Sequence, residues 1–363
     1  MLRTLITKKN VLKIALAFCM LSFFAASARA LPLPLPLPLP HLEGNIIFPG
    51  NTIWDYSPSW MVDQFDYNKE KMWWCSESNG TDVIRYSEKS QQGVWSTPKI
   101  VFAHTANAPS WEGVFVCDPS VVRGAFSVRL TPNGPLQNFS YAMYYTTNDP
   151  VTNNNPSNNR VGVAFSNDGV NWQRYYNYVI HKPSYAYGSG QQVAFNTNGG
   201  SSIGIVYTFV ESFNKIYYYY SLSNDGVNFG APQPISTQGL SVNGLPGVSL
   251  LAPALAFAPV FEGQQYYYYL ANVCKTYGGP DQAPKSVCVY RIPMTNLSQG
   301  VWERIVDPGD VKPVEFEPGF RADAWGWMSG GLLSPVTLGM GCSGAHGADY
   351  VFSYEICYGV ATP

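Results

Sequence analysis

One phrase occurs twice, changed only in its last residue: Ser166-Asn167-Asp168-Gly169-Val170-Asn171-Trp172 and Ser223-Asn224-Asp225-Gly226-Val227-Asn228-Phe229. Each copy follows a run in which aromatic and apolar residues alternate. Asn-Asp-Gly supplies the positive φ angles of a tight turn, and the aromatic residue after it can anchor the next strand against a core. Each copy therefore reads as strand, turn, strand. A chain of such units at long, regular spacing is the sequence pattern of a β-propeller.

From Gly44 onward helical periodicity is absent, and short strand-like runs are separated by clusters of Gly, Asn, Asp, Pro and Ser. Five openings align: Ser57-Pro58-Ser59-Trp60-Met61, Asp118-Pro119-Ser120-Val121-Val122, Gln191-Gln192-Val193-Ala194-Phe195, Ala252-Pro253-Ala254-Leu255-Ala256 and Gly330-Gly331-Leu332-Leu333-Ser334. An aromatic-rich strand follows each, as in Met72-Trp73-Trp74-Cys75 and Tyr141-Ala142-Met143-Tyr144-Tyr145, and a third strand leads into the turn phrase. The expected fold is all-β, a five-bladed β-propeller of four-stranded blades over residues 44–363. Too few residues follow the fifth opening for a full blade, so Asn45 to Phe48 is expected to supply its outer strand and close the ring. An open two-sheet sandwich is the alternative, and the similar spacing of the openings disfavours it.

The first thirty residues carry Arg3, Lys8, Lys9 and Lys13, then an apolar run from Ile14 to Ala26, then Ala28-Arg29-Ala30. This pattern is that of a signal peptide over residues 1–30, cleaved after Ala30. Phe18 before Cys19 is too bulky for a lipoprotein cleavage site, and no other stretch has the length of a membrane span. Five Leu-Pro pairs from Leu31 to Pro40 cannot form a helix or a central strand. They make residues 31–43 an extended polyproline II spacer. The expected location is secreted or periplasmic.

Six cysteines remain beyond the leader, an even number in a chain expected to be exported, which points to disulfides. Cys274 with Cys288, and Cys342 with Cys357, are near enough to staple adjacent strands, and Cys75 with Cys117 would tie neighbouring repeats; spacing alone leaves the connectivity open. Zinc is disfavoured because no Cys-x-x-Cys pair is present. No cofactor is expected. The asparagine-rich stretch Asp149 to Asn159 lacks the patterned carboxylates of a calcium loop, and nothing in the sequence supports a structural calcium. A net charge of −2 with 13% charged residues provides no basic face for nucleic acid. Aromatics at 15% suit the stacking of sugar rings, although strands absorb most of the 25 tyrosines.

Three segments, Val116-Cys117-Asp118-Pro119-Ser120-Val121-Val122, Tyr141-Ala142-Met143-Tyr144-Tyr145-Thr146 and the first turn phrase, resemble the five-bladed propellers of glycoside hydrolase family 43 and its relatives in the β-fructosidase superfamily. The resemblance implies a general-base aspartate from the first blade, an aspartate from the second that tunes the acid, and a general-acid glutamate from the third. Carboxyls kept in different protonation states are what glycosidic hydrolysis needs. Asp118 matches the second-blade aspartate. In the first blade Ser57 stands at the equivalent position, and Asp55 shares its strand face two residues earlier. In the third blade Gln191 stands where the acid is expected, and glutamine has no proton to give.

Substitute acids are Glu77, Glu112, Glu211, His181 and His346. For each, a solvated side chain at a turn or loop is the simpler reading. Asp118 likewise has a bland reading, an Asp-Pro-Ser turn capping a strand. Trp54, Trp111, Tyr187, Gln191, Trp325 and Trp327, with Arg321 and Asp323, are expected to line a sugar pocket at the blade mouths. The sequence thus predicts a monomeric, exported, glycoside-hydrolase-like protein that takes an oligo- or polysaccharide and has an incomplete catalytic set. The alternative is a non-catalytic glycan-binding or adhesion propeller.

Overall fold

The computed structural model describes residues 43–48, 55–147, 159–180, 189–212, 215–242, 245–246, 255–276, 285–306, 316–328, 336–343 and 354–361. In chain order, β1 (Glu43–Phe48) is followed by β2 (Asp55–Asp63), β3 (Lys69–Ser78), β4 (Thr81–Lys89) and β5 (Lys99–Phe102), and then by β6 (Val116–Arg129), β7 (Leu136–Thr147), β8 (Arg160–Ser166) and β9 (Gln173–Arg174). Next come β10 (Ser189–Asn196), β11 (Ile203–Ser212), β12 (Lys215–Ser223) and β13 (Gln233–Pro234), with a short ribbon of β14 (Ser241–Val242) and β15 (Leu245–Pro246). The chain ends with β16 (Ala256–Glu262), β17 (Gln265–Thr276), β18 (Lys285–Pro293) and β19 (Glu303–Val306), and then β20 (Phe316–Asp323), β21 (Val336–Ser343) and β22 (Tyr354–Ala361).

Three meanders, β6 to β9, β10 to β13 and β16 to β19, are separate four-stranded sheets. The eight remaining long strands form one sheet in the order β1-β22-β21-β20-β2-β3-β4-β5. The fold is thus a propeller of four main sheets, where the sequence predicts five separate blades. The physical reason is parallel pairing of β2 with β20, Trp60 to Arg321 and Val62 to Asp323, which fuses the first and last blades into one hydrogen-bonded sheet. β1 adds to the far edge of β22, so the start of the described chain supplies the outer strand of its end.

A second correction concerns the last unit. The opening expected at Gly330 to Ser334 lies outside the described residues, and the innermost strand there is β20, one strand earlier. Gly319 allows it to sit against β2, since a β-carbon at Gly319 would lie only 1.7 Å from the Pro58 carbonyl oxygen.

Side chains pack between neighbouring sheets, and this is where the tyrosines go. Tyr144, Tyr145, Tyr207, Tyr218, Tyr269 and Tyr290 are among the largest fully buried side chains. Two disulfides form among the described residues, Cys75–Cys117 between the first and second blades and Cys274–Cys288 within the third meander, β16 to β19. The expected Cys342–Cys357 pair falls on side chains outside the described set. No helix among the described residues is long and apolar enough to cross a membrane.

The repeated phrase clasps one blade to the next. Asp168 Oδ1 accepts the N–H groups of Val170 and Asn171, both at 2.8 Å, and Ser166 Oγ accepts that of Gly169 at 2.9 Å. Burial pushes the Asp168 carboxyl up, but these donors outweigh it and hold it at about 2. The turn's Gly169 carbonyl then accepts the Trp73 indole N–H from the preceding blade at 2.7 Å. The second copy repeats the device, with Tyr144 donating to the Gly226 carbonyl at 2.8 Å.

Gly169 has φ +77° and its added β-carbon would meet Trp73 at 2.9 Å, whereas Gly93 has φ +82° and open space around it. Gly93→Ala is therefore expected to cost about 1–2 kcal/mol from backbone conformation alone. Gly169→Ala should cost more, because the ring must also move. Denaturant unfolding of both variants measures the difference.

Candidate functional site

Four inner strands share one irregularity at the end where they begin. The register breaks between Tyr56 and Ser59 in β2, Cys117 and Ser120 in β6, Ser189 and Gln192 in β10, and Phe316 and Gly319 in β20. In each case the inner strand spends one residue more than its neighbour, a β-bulge that re-aims the side chains around it. The bulged pairs are Ser57-Pro58, Asp118-Pro119, Gly190-Gln191 and Glu317-Pro318. Ser57 and Asp118 hold φ at +54° and +49°, a region costly for residues other than glycine.

The bulges converge on a polar network. Gln191 donates to Ser57 Oγ at 2.8 Å and accepts the Leu255 N–H at 2.6 Å, tying the third blade to the first and fourth. Gln192 donates to the Asp118 carbonyl and accepts from Thr146 Oγ1 at 2.6 Å. Ser57 and Thr146 hydrogen-bond the Asp118 carboxyl. The channel between the inner strands retains a cavity of only about 50 Å³.

Carboxyls gather beside this network, around the Cys75–Cys117 disulfide. Asp118 Oδ1 lies 3.5 Å from Cys117 Sγ. An Asp82 carboxyl oxygen lies within 4.8 Å of both disulfide sulfurs. Asp82 stands directly across the β3–β4 ladder from Glu77. Asp55, buried at the start of β2, accepts the Trp74 indole N–H at 2.9 Å. Burial raises the Asp118 carboxyl above its ordinary value, against the hydrogen bonds from Ser57 and Thr146. Burial, with the charges of Asp118 and Glu77, raises Asp82 to about 6 despite a hydrogen bond from Tyr56. Carboxyls with raised values cluster at functional sites.

The expected site residues divide into separate places. Asp55, Asp118 and Gln191 come together at this end. Gln191 sits one position later than expected, matching Pro119, so the residue in register with Asp118 is Gly190. Trp111 is not at a pocket: it is buried, stacks on Tyr145 and donates to the Tyr176 carbonyl at 2.9 Å, because it fills the joint between the first two blades. Glu112 is locked by Arg174 at 3.0 Å and Tyr145 at 2.6 Å.

Arg321, Asp323 and Trp325 stand at the other end of the inner strands. Trp325 is bonded through its carbonyl to the N–H of Asn196, five residues beyond Gln191, about 17 Å along a strand. Trp54, Tyr187, His181 and His346 lie outside the described residues, as does the Glu211 side chain. The sequence reading missed Asp82, which looks like an ordinary strand-entry residue until the disulfide brings the second blade to it. In β20 the segment Glu317-Pro318-Gly319 stands at the bulge position that Asp118-Pro119-Ser120 holds in β6.

No protein-family model matches the chain, and no curated protein matches it in sequence. Solved structures match it in shape. The catalytic domain of a family 62 α-L-arabinofuranosidase from Coprinopsis cinerea is 11% identical with a TM-score of 0.56, covering 90% of this chain and 98% of that one. A thermostable family-43 glycoside hydrolase is 10% identical with a TM-score of 0.53, covering 85% and 90%. A fructofuranosidase from Schwanniomyces occidentalis, complexed with fructosylnystose, is 14% identical with a TM-score of 0.56, covering 90% and 60%. The chain shares the propeller fold of these glycoside hydrolases.

A carboxyl whose value is raised in the folded state binds its proton more tightly there than in the unfolded chain. The stabilisation is full below about pH 4 and is lost as pH rises through about 6. Asp82→Asn is therefore expected to be more stable than the parent by about 2–3 kcal/mol at pH 8, and to differ little at pH 4. Denaturant unfolding of both proteins at the two pH values measures this.

Proposed function

We propose that the chain is an exported protein that hydrolyses glycosidic bonds. The observation that carries this reading is the group of Asp55, Asp82 and Asp118 at the bulged ends of the first two blades, next to two backbones held at positive φ. In this reading Asp82 holds the proton for the leaving oxygen, Asp118 keeps it there through its charge, and Asp55 is the base that takes a proton from water. The water oxygen bonds to the anomeric carbon as the glycosidic C–O bond breaks, so the proton gained by the base balances the one given by the acid. The fold shared with an arabinofuranosidase and a fructofuranosidase supports a glycan as substrate. The disulfides, and the lysine-bearing leader with its small-residue end, support export.

A second reading, glycan binding without cleavage, is favoured by one feature. The third blade's bulge carries Gly190, in register with Asp118, and Gln191, tied to Ser57 and Leu255, and neither residue can supply the acid that the resemblance places on that blade.

Incubation of the mature protein with arabinan, xylan, fructan and galactan, with mass-spectrometric detection of released sugars, separates the two. Hydrolysis predicts product, a rate that falls as pH rises through about 6, and a loss of roughly 10²-fold or more in Asp82→Asn and Asp118→Asn. Polysaccharide binding with no product on any substrate would establish the second reading.

A further inference from the structure

A cleft lies at the opposite end from the carboxyl cluster. It measures about 610 Å³ and lies where the ends of β10 and β16 meet the segment after β20. Phe261, Tyr266, Trp325 and Trp327 line it together with Asn198 and Asp323. Phe261 and Tyr266 are each 51% exposed, an unusual outlay of aromatic surface for a strand end. Phe261 and Tyr266 are in ring contact at 4.7 Å, and Tyr266 meets Trp327 edge to face at 6.0 Å. Both tryptophans are held in place. Trp327 donates its indole N–H to the Asn196 carbonyl at 2.7 Å, and Asp323 Oδ1 accepts the backbone N–H groups of Trp325 and Trp327 at 2.8 and 3.0 Å.

Beside the Tyr266 hydroxyl, an acceptor and a donor next to the tryptophans are left over. Asp323 Oδ2 and the Trp325 indole N–H have no hydrogen-bond partner among the described residues. One is an acceptor and the other a donor. An apolar peptide laid in the cleft would bury both unpaired, at a cost of about 1–3 kcal/mol each. A cation would satisfy the carboxylate and oppose the N–H. An anion finds no positive charge among the described residues that line the cleft, and nearby Arg321 turns to Glu70 at 3.3 Å and to the Trp60 ring. Hydroxyl groups, which both donate and accept, match both atoms, and the C–H faces of a pyranose or furanose ring match the exposed aromatic surface.

We propose that this cleft is a second carbohydrate site, which holds a neutral polysaccharide chain on the face of the propeller away from the carboxyl cluster. It anchors the polymer and takes no part in bond cleavage, so it stands whether or not the opposite end hydrolyses. Trp325 supplies the main stacking platform, Tyr266 the second, and Asp323 the acceptor that orients the chain.

Native gel electrophoresis of the full mature protein through gels containing soluble xylan, arabinan or inulin tests the proposal. At least one polymer should retard the parent. Trp325→Ala and Tyr266→Ala should each weaken that retardation by about tenfold in apparent affinity, while Asp118→Asn leaves it unchanged. Both aromatic variants should keep the parent's unfolding midpoint to within a few degrees and the same products, if any, from short soluble substrates. Retardation by no polymer, retardation unaltered in both aromatic variants, or retardation abolished by Asp118→Asn alone would each overturn it.

Discussion

The backbone from Arg321 to Met328 is bonded in turn to the inner strands β2, β6, β10 and β16. Arg321 to Asp323 pair in parallel with Trp60 to Val62, the Ala324 carbonyl accepts from the Arg123 N–H at 2.6 Å, the Trp325 carbonyl accepts from Asn196 at 2.7 Å, and the Met328 N–H donates to Pro259 at 3.1 Å. Inner strands of a propeller otherwise end with unpaired peptide groups facing a channel, and buried peptide groups left unpaired are costly. Here one short segment satisfies all four ends. Among the described residues, main chain spans the channel at this end and the Gln191 network spans it at the other.

Charges at the Arg321 to Met328 end reinforce the same joint. Asp63 at the end of β2 is fully buried and is bonded by Lys71 at 2.9 Å, Arg123 at 2.8 Å and Tyr141 at 2.5 Å. Burial alone would raise its carboxyl, but Tyr141, Arg123 and Lys71 hold it below the usual range. A buried ion group of this kind adds little net stability when complete and is destabilising when one member is lost. Its effect is to fix geometry, since Arg123 is both the partner of Asp63 and the donor to Ala324. The position of the cleft segment is therefore tied to an ionic contact between the first two blades.

Much of the architecture is legible in the sequence because its determinants are local. The alternating aromatic strands form as expected; in the Asn-Asp-Gly phrases only Gly169 and Gly226 hold positive φ while Asp168 and Asp225 accept backbone N–H groups, and the Asp-Pro-Ser entry is a β-bulge with Asp118 at φ +49°. The fusion of the first and last blades is not legible, because β2 and β20 are joined only by long-range parallel pairing that leaves no local signature. The same applies to the site. Asp118 stands out by its motif, whereas Asp82 becomes unusual only when the Cys75–Cys117 bridge carries the second blade's carboxyl towards it. Trp111 misleads because a tryptophan before a strand has the same sequence appearance whether it faces sugar or core. Trp325 has the surface expected of a sugar contact, but strand direction, invisible in a motif, places it at the far face.

Assembly of the carboxyl end opposes folding, which explains why a covalent bond is found there. Ser57 and Asp118 at positive φ cost about 1–2 kcal/mol each, and an ionised Asp82 adds about 2–3 kcal/mol at neutral pH. A disulfide across 42 residues offsets about 4 kcal/mol of that by restricting the unfolded chain. The offset acts on the unfolded state, so it leaves the strained backbones and the raised carboxyls in the folded protein as they are. At Asp82 the hydrogen bond from Tyr56 is outweighed by burial and by the charges of Asp118 and Glu77, whereas at Asp168 the turn donors outweigh burial. Stabilising this end through the chain, and not through the carboxyls, is what allows it to be both folded and able to hold a proton near pH 6.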